Sequence, residues 1–281
     1  MVAVHKCGVL FAVMVLASLA VLPACNKKKP TSAEPPSDYS GSKTGPAPEL
    51  IPANGNSDAT LPSRPRPAPL LGVANAQTRA KTELNLKQIG LAFFNAEAAY
   101  GAFPQGIADS TGKVGLSWRV ALLPFLERDD LYRQFKLDEP WDSEHNKKLI
   151  PQMPKIFAPP GVDTFGYTYY RSFTGPGTVM PPSMLSLPPK QVFLGVRTTS
   201  ITDGTSNTLL IAEATEPVVW TKPDELPFSP GKPPKLGGGV YSNGFHALLC
   251  DGSAIFIPSN IDPRMLSNAI QINDGQPVIW P

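Results

Sequence analysis

Proline placement constrains this chain more than any other feature. Of 281 residues, 33 are proline and 23 glycine, together about a fifth. Proline fixes φ and lacks a backbone donor, so it breaks helix interiors and central strands. That density argues against a helical bundle or coiled coil. One window escapes it: Val73 to Ala99 has no proline and is rich in Ala, Leu, Lys, Gln and Glu, which predicts the best helix of the chain. Leu86, Ile89, Phe93 and Tyr100 recur there at spacings of three, four and seven, placing one apolar stripe on a core while Lys87, Gln88 and Asn95 face outward. Gly101 and Pro104 end it.

The chain opens with Lys6 and an uncharged apolar run from Cys7 to Leu22, the layout of a secretory signal. The run closes at Leu22-Pro23-Ala24-Cys25. This string resembles a bacterial lipobox, which implies lipidation of Cys25 and residues 1–25 as the signal peptide; Pro23 departs from the usual residue at its position. The alternative is an uncleaved signal anchor, because Cys7 to Ala24 approaches the length of a membrane span. Lys27, Lys28 and Lys29 follow directly and would hold the rest of the chain in the cytoplasm under that alternative. With cleavage and acylation, the same lysines meet anionic head groups.

Asn26 to Leu70 holds ten prolines in 45 residues, with scattered Ser, Gly, Thr and Asn. Such a segment buries too little apolar surface to offset the entropy of ordering, so residues 26–72 read as a flexible linker. The rest, 73–281, reads as one domain. A helical stretch from Ser117 to Phe135 is broken at Pro124 into two short helices. Short β-prone pieces follow at Gly166 to Phe173, Gln191 to Val196 and Thr208 to Ala212. Asp251-Gly252 separates Phe245 to Cys250 from Ser253 to Ile257, a strong hairpin signal that predicts a two-residue type I′ turn. The fold class is therefore α+β, a long amphipathic helix packed on an antiparallel sheet with the remaining prolines in long connections.

Lys plus Arg number 25 against 23 Asp plus Glu, too even a balance for a nucleic-acid partner. Three histidines and three cysteines show no metal-ligand or redox spacing, so no metal and no cofactor is expected. No nucleophile elbow, phosphate loop or dinucleotide fingerprint occurs. Asp203, Thr205, Ser206 and Asn207 surround Gly204, a set that suits either a calcium ion or sugar hydroxyl or simply a tight turn; Asp251 divides the same way. His246 has Cys250 four residues on, about 13 Å away along a strand, which disfavours a Cys–His catalytic pair. Cys250 reads as a buried small hydrophobe, and His145 as a surface histidine beside a helix start capped by Asp142 or Ser143. Trp118, Trp141 and Trp220 read as core residues or as platforms for sugars. Trp220 opens the loop Thr221 to Pro227, the first place to seek a binding lip.

Several strings carry a family resemblance: Asn85-Leu86-Lys87-Gln88-Ile89-Gly90-Leu91-Ala92, Tyr100-Gly101-Ala102-Phe103-Pro104, Leu116-Ser117-Trp118-Arg119-Val120, Leu122-Leu123-Pro124, Pro140-Trp141-Asp142-Ser143, Ile201 to Thr208 and Asp251-Gly252-Ser253. In this order they resemble the bacterial family known as domain of unknown function 1559 over essentially all of 73–281. The resemblance implies a pilin-like head with long Pro-rich loops; the family's role is not established, although a solute-binding label is attached to it. The chain departs from the family in three ways. The prepilin stem is replaced by the signal and linker; cysteines frequent in the family correspond to Thr82 and Ala158, as would follow from a dispensed disulfide; and a family histidine ten residues before the Asp-Gly turn corresponds to Tyr241.

The reading that results is a noncatalytic, lipid-anchored cell-envelope protein facing the periplasm or cell surface, with a structural or interaction role and an envelope protein or glycan as partner. The alternative is a solute- or glycan-binding lipoprotein using Asp203, Thr205, Asn207 and Trp220. An envelope hydrolase with a distributed catalytic set stands third.

Overall fold

A computed structural model describes residues 76–161 and 163–280. The signal segment, Cys25, the proline-rich stretch and the first three residues of the expected domain lie outside the described residues. Helix α1 spans Ala76–Tyr100. Leu86, Ile89, Ala92, Phe93 and Ala96 are buried on one face of it, while Lys87, Gln88 and Asn95 are exposed, as the spacing predicts. Among the described residues no helix is long and apolar enough to cross a membrane.

Three sheets follow rather than one. Strands β1 (Pro104–Ala108), β2 (Val114–Ser117) and β5 (Val192–Leu194) form an antiparallel sheet in the order β2-β1-β5. Strands β3 (Tyr167–Arg171), β6 (Leu209–Val219), β8 (Gly244–Leu249) and β9 (Ala254–Pro258) form the larger antiparallel sheet in the order β3-β6-β8-β9. A short parallel pair joins β4 (Phe173–Thr174) to β7 (Leu226–Pro227). The class is α+β with antiparallel sheets. Helix α1 lies against β8, β9 and β1.

Between β2 and β3 the chain forms α2 (Trp118–Ala121), a 3-10 turn at Leu123–Leu126, α3 (Asp129–Tyr132) and two more 3-10 helices, Asn146–Gln152 and Lys155–Phe157. Pro124 falls at the start of the first 3-10 turn, where its missing donor costs nothing. The α4 helix, Pro263–Ile270, is capped by Asp262, whose side chain accepts from Arg264 N.

The Asp-Gly hairpin is present, but its turn differs from the expected I′. Only Gly252 of the pair has positive φ, at 85°. Gly252 N donates to Leu249 O at 3.0 Å and Leu249 N to Ser253 O at 2.8 Å, so Cys250, Asp251 and Gly252 make a three-residue loop closed by a left-handed glycine. Asp251 Oδ1 accepts from Ser253 N at 2.8 Å and from its hydroxyl at 2.6 Å, which holds the loop in this form. Strand β6 runs seven residues past the expected end at Ala212, through Glu213, Glu216 and Pro217, because tertiary pairing with β3 overrides local propensity.

The main core lies under α1. Phe93 meets Trp118 at 5.1 Å between ring centroids and Phe103 edge-on at 5.7 Å. Phe157 stacks on Trp220 at 6.1 Å, and Phe135 meets that indole edge-on at 5.8 Å. Glycine at position 90 lets α1 come close to the hairpin, since a Cβ there would stand 3.2 Å from Gly252 Cα and 3.1 Å from Leu248 Cδ1.

Candidate functional site

Among the described residues a groove of about 1070 Å³ lies between α1 and the chain that leads into β3. One wall is the outer face of α1, where Lys81, Asn85 and Gln88 follow one another at helical spacing. The floor is aliphatic, from Ile150, Met153, Ile156 and Val219. Lys147 and Lys155 stand on the rim, and Asp163 to Tyr167 closes the far side.

Local chemistry shapes that far side. Gly166 holds φ at 87°, and a Cβ there would meet Ile150 Cγ2 at 2.5 Å and Ile150 O at 2.9 Å, so only glycine lets the turn close over Ile150. Gly166 O accepts from Trp220 N at 3.0 Å and Tyr167 N donates to Thr164 O at 2.9 Å. Asp163 Oδ1 accepts from Phe165 N at 2.9 Å. Phe165 itself sits at φ 52° with 45% of its surface exposed; a bulky side chain held in the left-handed region stores strain of the kind that collects at binding sites. Thr164 lines the groove at 1% exposure, and its hydroxyl has no hydrogen-bond partner. A buried hydroxyl left in that state costs roughly 1–3 kcal/mol.

The sequence candidates are placed elsewhere. Trp220 is 0% exposed and offers no face to a sugar; its indole N–H donates to Ile150 O at 2.9 Å, so it braces the groove floor from beneath. Trp118 and Trp141 are also buried. The loop after Trp220 is tied down rather than raised as a lip. Asp224 Oδ1 accepts from Arg171 at 2.6 Å, and Glu225 pairs with the fully buried Arg119 at 3.0 Å. Asp203 turns its carboxylate to the C-terminal segment, accepting from Asp274 N at 2.6 Å and Gly275 N at 3.0 Å. Asn207 donates to Asp203 O at 2.9 Å, and Thr205 is half-buried in the same turn. These bonds are those of a turn that clamps the chain end. Among the described residues no group of three or more His, Cys, Asp or Glu side chains is placed to hold a metal ion.

His246 gains a carboxylate partner that sequence spacing conceals. Glu213, 33 residues away on the neighbouring strand, accepts from His246 N at 2.7 Å and lies 3.2 Å from His246 Nδ1. Both side chains are buried, and Glu83 of α1 stands 4.0 Å from His246 Nε2. Tyr241 stacks edge-on to that ring at 4.8 Å and shares a hydrogen bond with Thr82 at 2.9 Å. Two of the positions where the chain departs from the resembled family thus touch each other. Burial raises the Tyr241 phenol above its ordinary range, with Glu213 adding to the rise. Cys250 is buried, and desolvation, reinforced by Asp251 and Glu97, pushes its thiol well above the usual value, which makes it a poor nucleophile. His145 is half-buried, with Nε2 2.7 Å from Gln134 O. Ser143, one of its two expected caps, accepts from Asn146 N at 3.0 Å.

The groove residues went unnoticed in the sequence because Lys81, Ile150, Thr164 and Val219 carry no common spacing. The one local signal was Asp163-Thr164-Phe165-Gly166, an Asx-type turn closed by glycine.

No curated protein and no solved structure matches the chain. A family model matches residues 77–234, a span that includes α1 and both walls of the groove but stops short of the β8–β9 hairpin. The chain therefore belongs to the family described as a protein of unknown function, DUF1559.

Proposed function

We propose that this chain is a noncatalytic, lipid-anchored protein of the cell envelope whose head, residues 73–281, works by interaction, with the groove beside α1 as its contact surface. The observation that carries the reading is the groove itself, about 1070 Å³ with an aliphatic lining of Ile150, Met153, Ile156 and Val219 beside Lys81, Asn85 and Gln88 of α1, since a large concavity that joins apolar lining to a few convergent polar groups is where a ligand is held. The noncatalytic part draws support from His246 and Cys250, both at 0% exposure. A pilin-like head is supported by a long helix set against an antiparallel sheet. The lipid anchor rests on the string at Leu22 to Cys25; on that reading the head faces the periplasm or cell surface.

Two measurements test the proposal. Mass spectrometry of the N-terminal peptide from native cells finds a diacylglyceryl-modified Cys25 at the new N-terminus if the anchor is an acylated cysteine, and an intact Met1-containing peptide overturns that part. For the groove, the purified full chain is melted against peptide and oligosaccharide libraries. Ligand at a hundredfold excess over its Kd stabilises by about 2.7 kcal/mol, a rise of roughly 5–10 °C for a domain of this size. Gln88→Trp, at an exposed position on the α1 wall of the groove, obstructs it and abolishes that rise. No shift with either library overturns the groove as a contact surface.

A further inference from the structure

The lining of the groove also selects among ligands. We infer that it takes an extended acidic peptide segment with apolar side chains between its carboxylates; this rests on the groove being the contact surface.

The argument begins with charge. Lys81, Lys147 and Lys155 line the groove. Against these three lysines the lining carries one acid, Asp163, which accepts from Phe165 N at 2.9 Å, so cationic groups outnumber anionic ones; Glu144, 95% exposed at the side chain, reaches Lys147 only at 3.8 Å, a weak surface pair that a better placed carboxylate displaces. The groove is thus a cationic trough over an apolar floor, complementary to a chain that carries both anions and aliphatic groups.

Geometry favours a peptide over a glycan. Lys81, Asn85 and Gln88 form a straight stripe on α1, about 10 Å long at 1.5 Å per residue. That is the length of roughly three residues of extended chain. A cation followed by two side-chain amides matches a carboxylate followed by backbone amides, because each amide side chain both donates and accepts. The floor is built of Ile150, Met153, Ile156 and Val219, which suit aliphatic side chains. The indoles that would stack on a sugar ring, Trp118, Trp141 and Trp220, are all buried, leaving Phe165 and Tyr167 as the aromatic rings of the lining. The volume of about 1070 Å³ lies at the upper end of small-molecule pockets, in keeping with a short oligomer.

The test titrates the full chain, by fluorescence anisotropy, with a labelled hexapeptide alternating Glu and Val, its Gln/Val isostere, and a hexamer of galacturonic acid. The acidic peptide is expected to bind at least about tenfold more tightly than the isostere, and Lys81→Gln with Lys155→Gln to remove that preference; two lost charge contacts at partly exposed sites are worth about a factor of ten. Raising salt from about 0.05 to 0.5 M weakens the acidic peptide and not its Gln/Val isostere. Equal binding of both peptides, untouched by the lysine substitutions but abolished by Gln88→Trp, overturns the acidic selectivity and leaves the groove reading standing. Tighter binding of the galacturonate hexamer overturns the peptide assignment. Failure of every probe, together with no melting shift from the libraries, overturns both readings.

Discussion

The smallest unit that decides stability in this protein is the buried ionic side chain. Glu213 holds His246 through both the backbone amide and the ring, while Glu213 Oε1 and His246 Nε2 have no hydrogen-bond partner. Glu213→Ala leaves the histidine amide and ring without their acceptor, and a buried donor left unsatisfied costs about 1–3 kcal/mol. Glu213→Gln retains an acceptor and is expected to lose less; urea denaturation of the two variants side by side checks the order. Arg119 gives a second case. Its guanidinium donates to Tyr170 O at 2.6 Å and to Glu225 at 3.0 Å, and Glu225 also accepts from Ser172 N at 2.6 Å. Arg119→Met alone strands a carboxylate and is expected to lose about 3–5 kcal/mol. The double variant Arg119→Met, Glu225→Leu removes the stranded charge but still orphans the Tyr170 carbonyl and the Ser172 amide, so it recovers only part and stays roughly 1–3 kcal/mol below wild type. A double variant no better than the single would show that the charge is not what the site balances.

At the level of elements, the decisive contact is α1 against the β8–β9 hairpin at Gly90. Gly90→Ala gains about 1 kcal/mol in helix propensity but needs Gly252 to give by a few tenths of an ångström, and it should change the melting temperature little. Gly90→Leu cannot be accommodated against backbone and is expected to lose about 1–3 kcal/mol by overpacking, with hydrogen exchange quickening first in β8 and β9. Unchanged protection there would mean that α1 does not hold the hairpin. Both partners of this contact were legible in the sequence, the helix from the Leu86, Ile89, Phe93 stripe and the hairpin from Asp251-Gly252, because each is fixed by local periodicity or turn chemistry. Strands β1 and β2 were not, since Pro104, Gly106 and Gly115 interrupt any alternation, and their pairing with each other, with β5 on the far edge of β1, supplies what propensity withholds. The Glu213–His246 pair is a matter of register between strands, and the groove a matter of how α1 lies on the 3-10 segments; neither leaves a mark in a single stretch of residues. Trp220 is the case where the sequence leaves two readings, core residue or sugar platform, and only tertiary packing, which closes over it, decides for the core.

The whole domain answers to pH through carboxylates whose environments act in opposite senses. At Asp109 burial would raise the carboxyl, but hydrogen bonds from the Thr111 hydroxyl at 2.6 Å, the Thr111 amide at 2.8 Å and the Lys113 amide outweigh it and hold the group below its ordinary range. At Asp274 desolvation, joined by the neighbouring Asp203, holds the carboxyl above its ordinary range. A lowered native value stabilises the fold above the unfolded value, and this is lost as pH falls through the lowered one. A raised native value does the reverse, adding stability as pH falls through it. Asp274→Asn removes the charge that Asp203 opposes while its amide oxygen still accepts from Gln276 N, a bond of 2.8 Å in the wild type. The variant is therefore expected to be more stable than wild type at pH 7, by about 0.5–1 kcal/mol or roughly 1–4 °C, with the advantage closing as acid protonates Asp274 in the native protein. Asp109→Asn should be less stable at pH 7 and converge with wild type only below the ordinary carboxylate range. Melting curves from pH 7 to pH 3 for the three proteins separate these windows. If the Asp274 variant is the less stable at neutral pH, the hydrogen bond from Gln271 to Asp274 Oδ2 at 2.6 Å outweighs the repulsion from Asp203, and the C-terminal clamp is held by that carboxylate rather than strained by it.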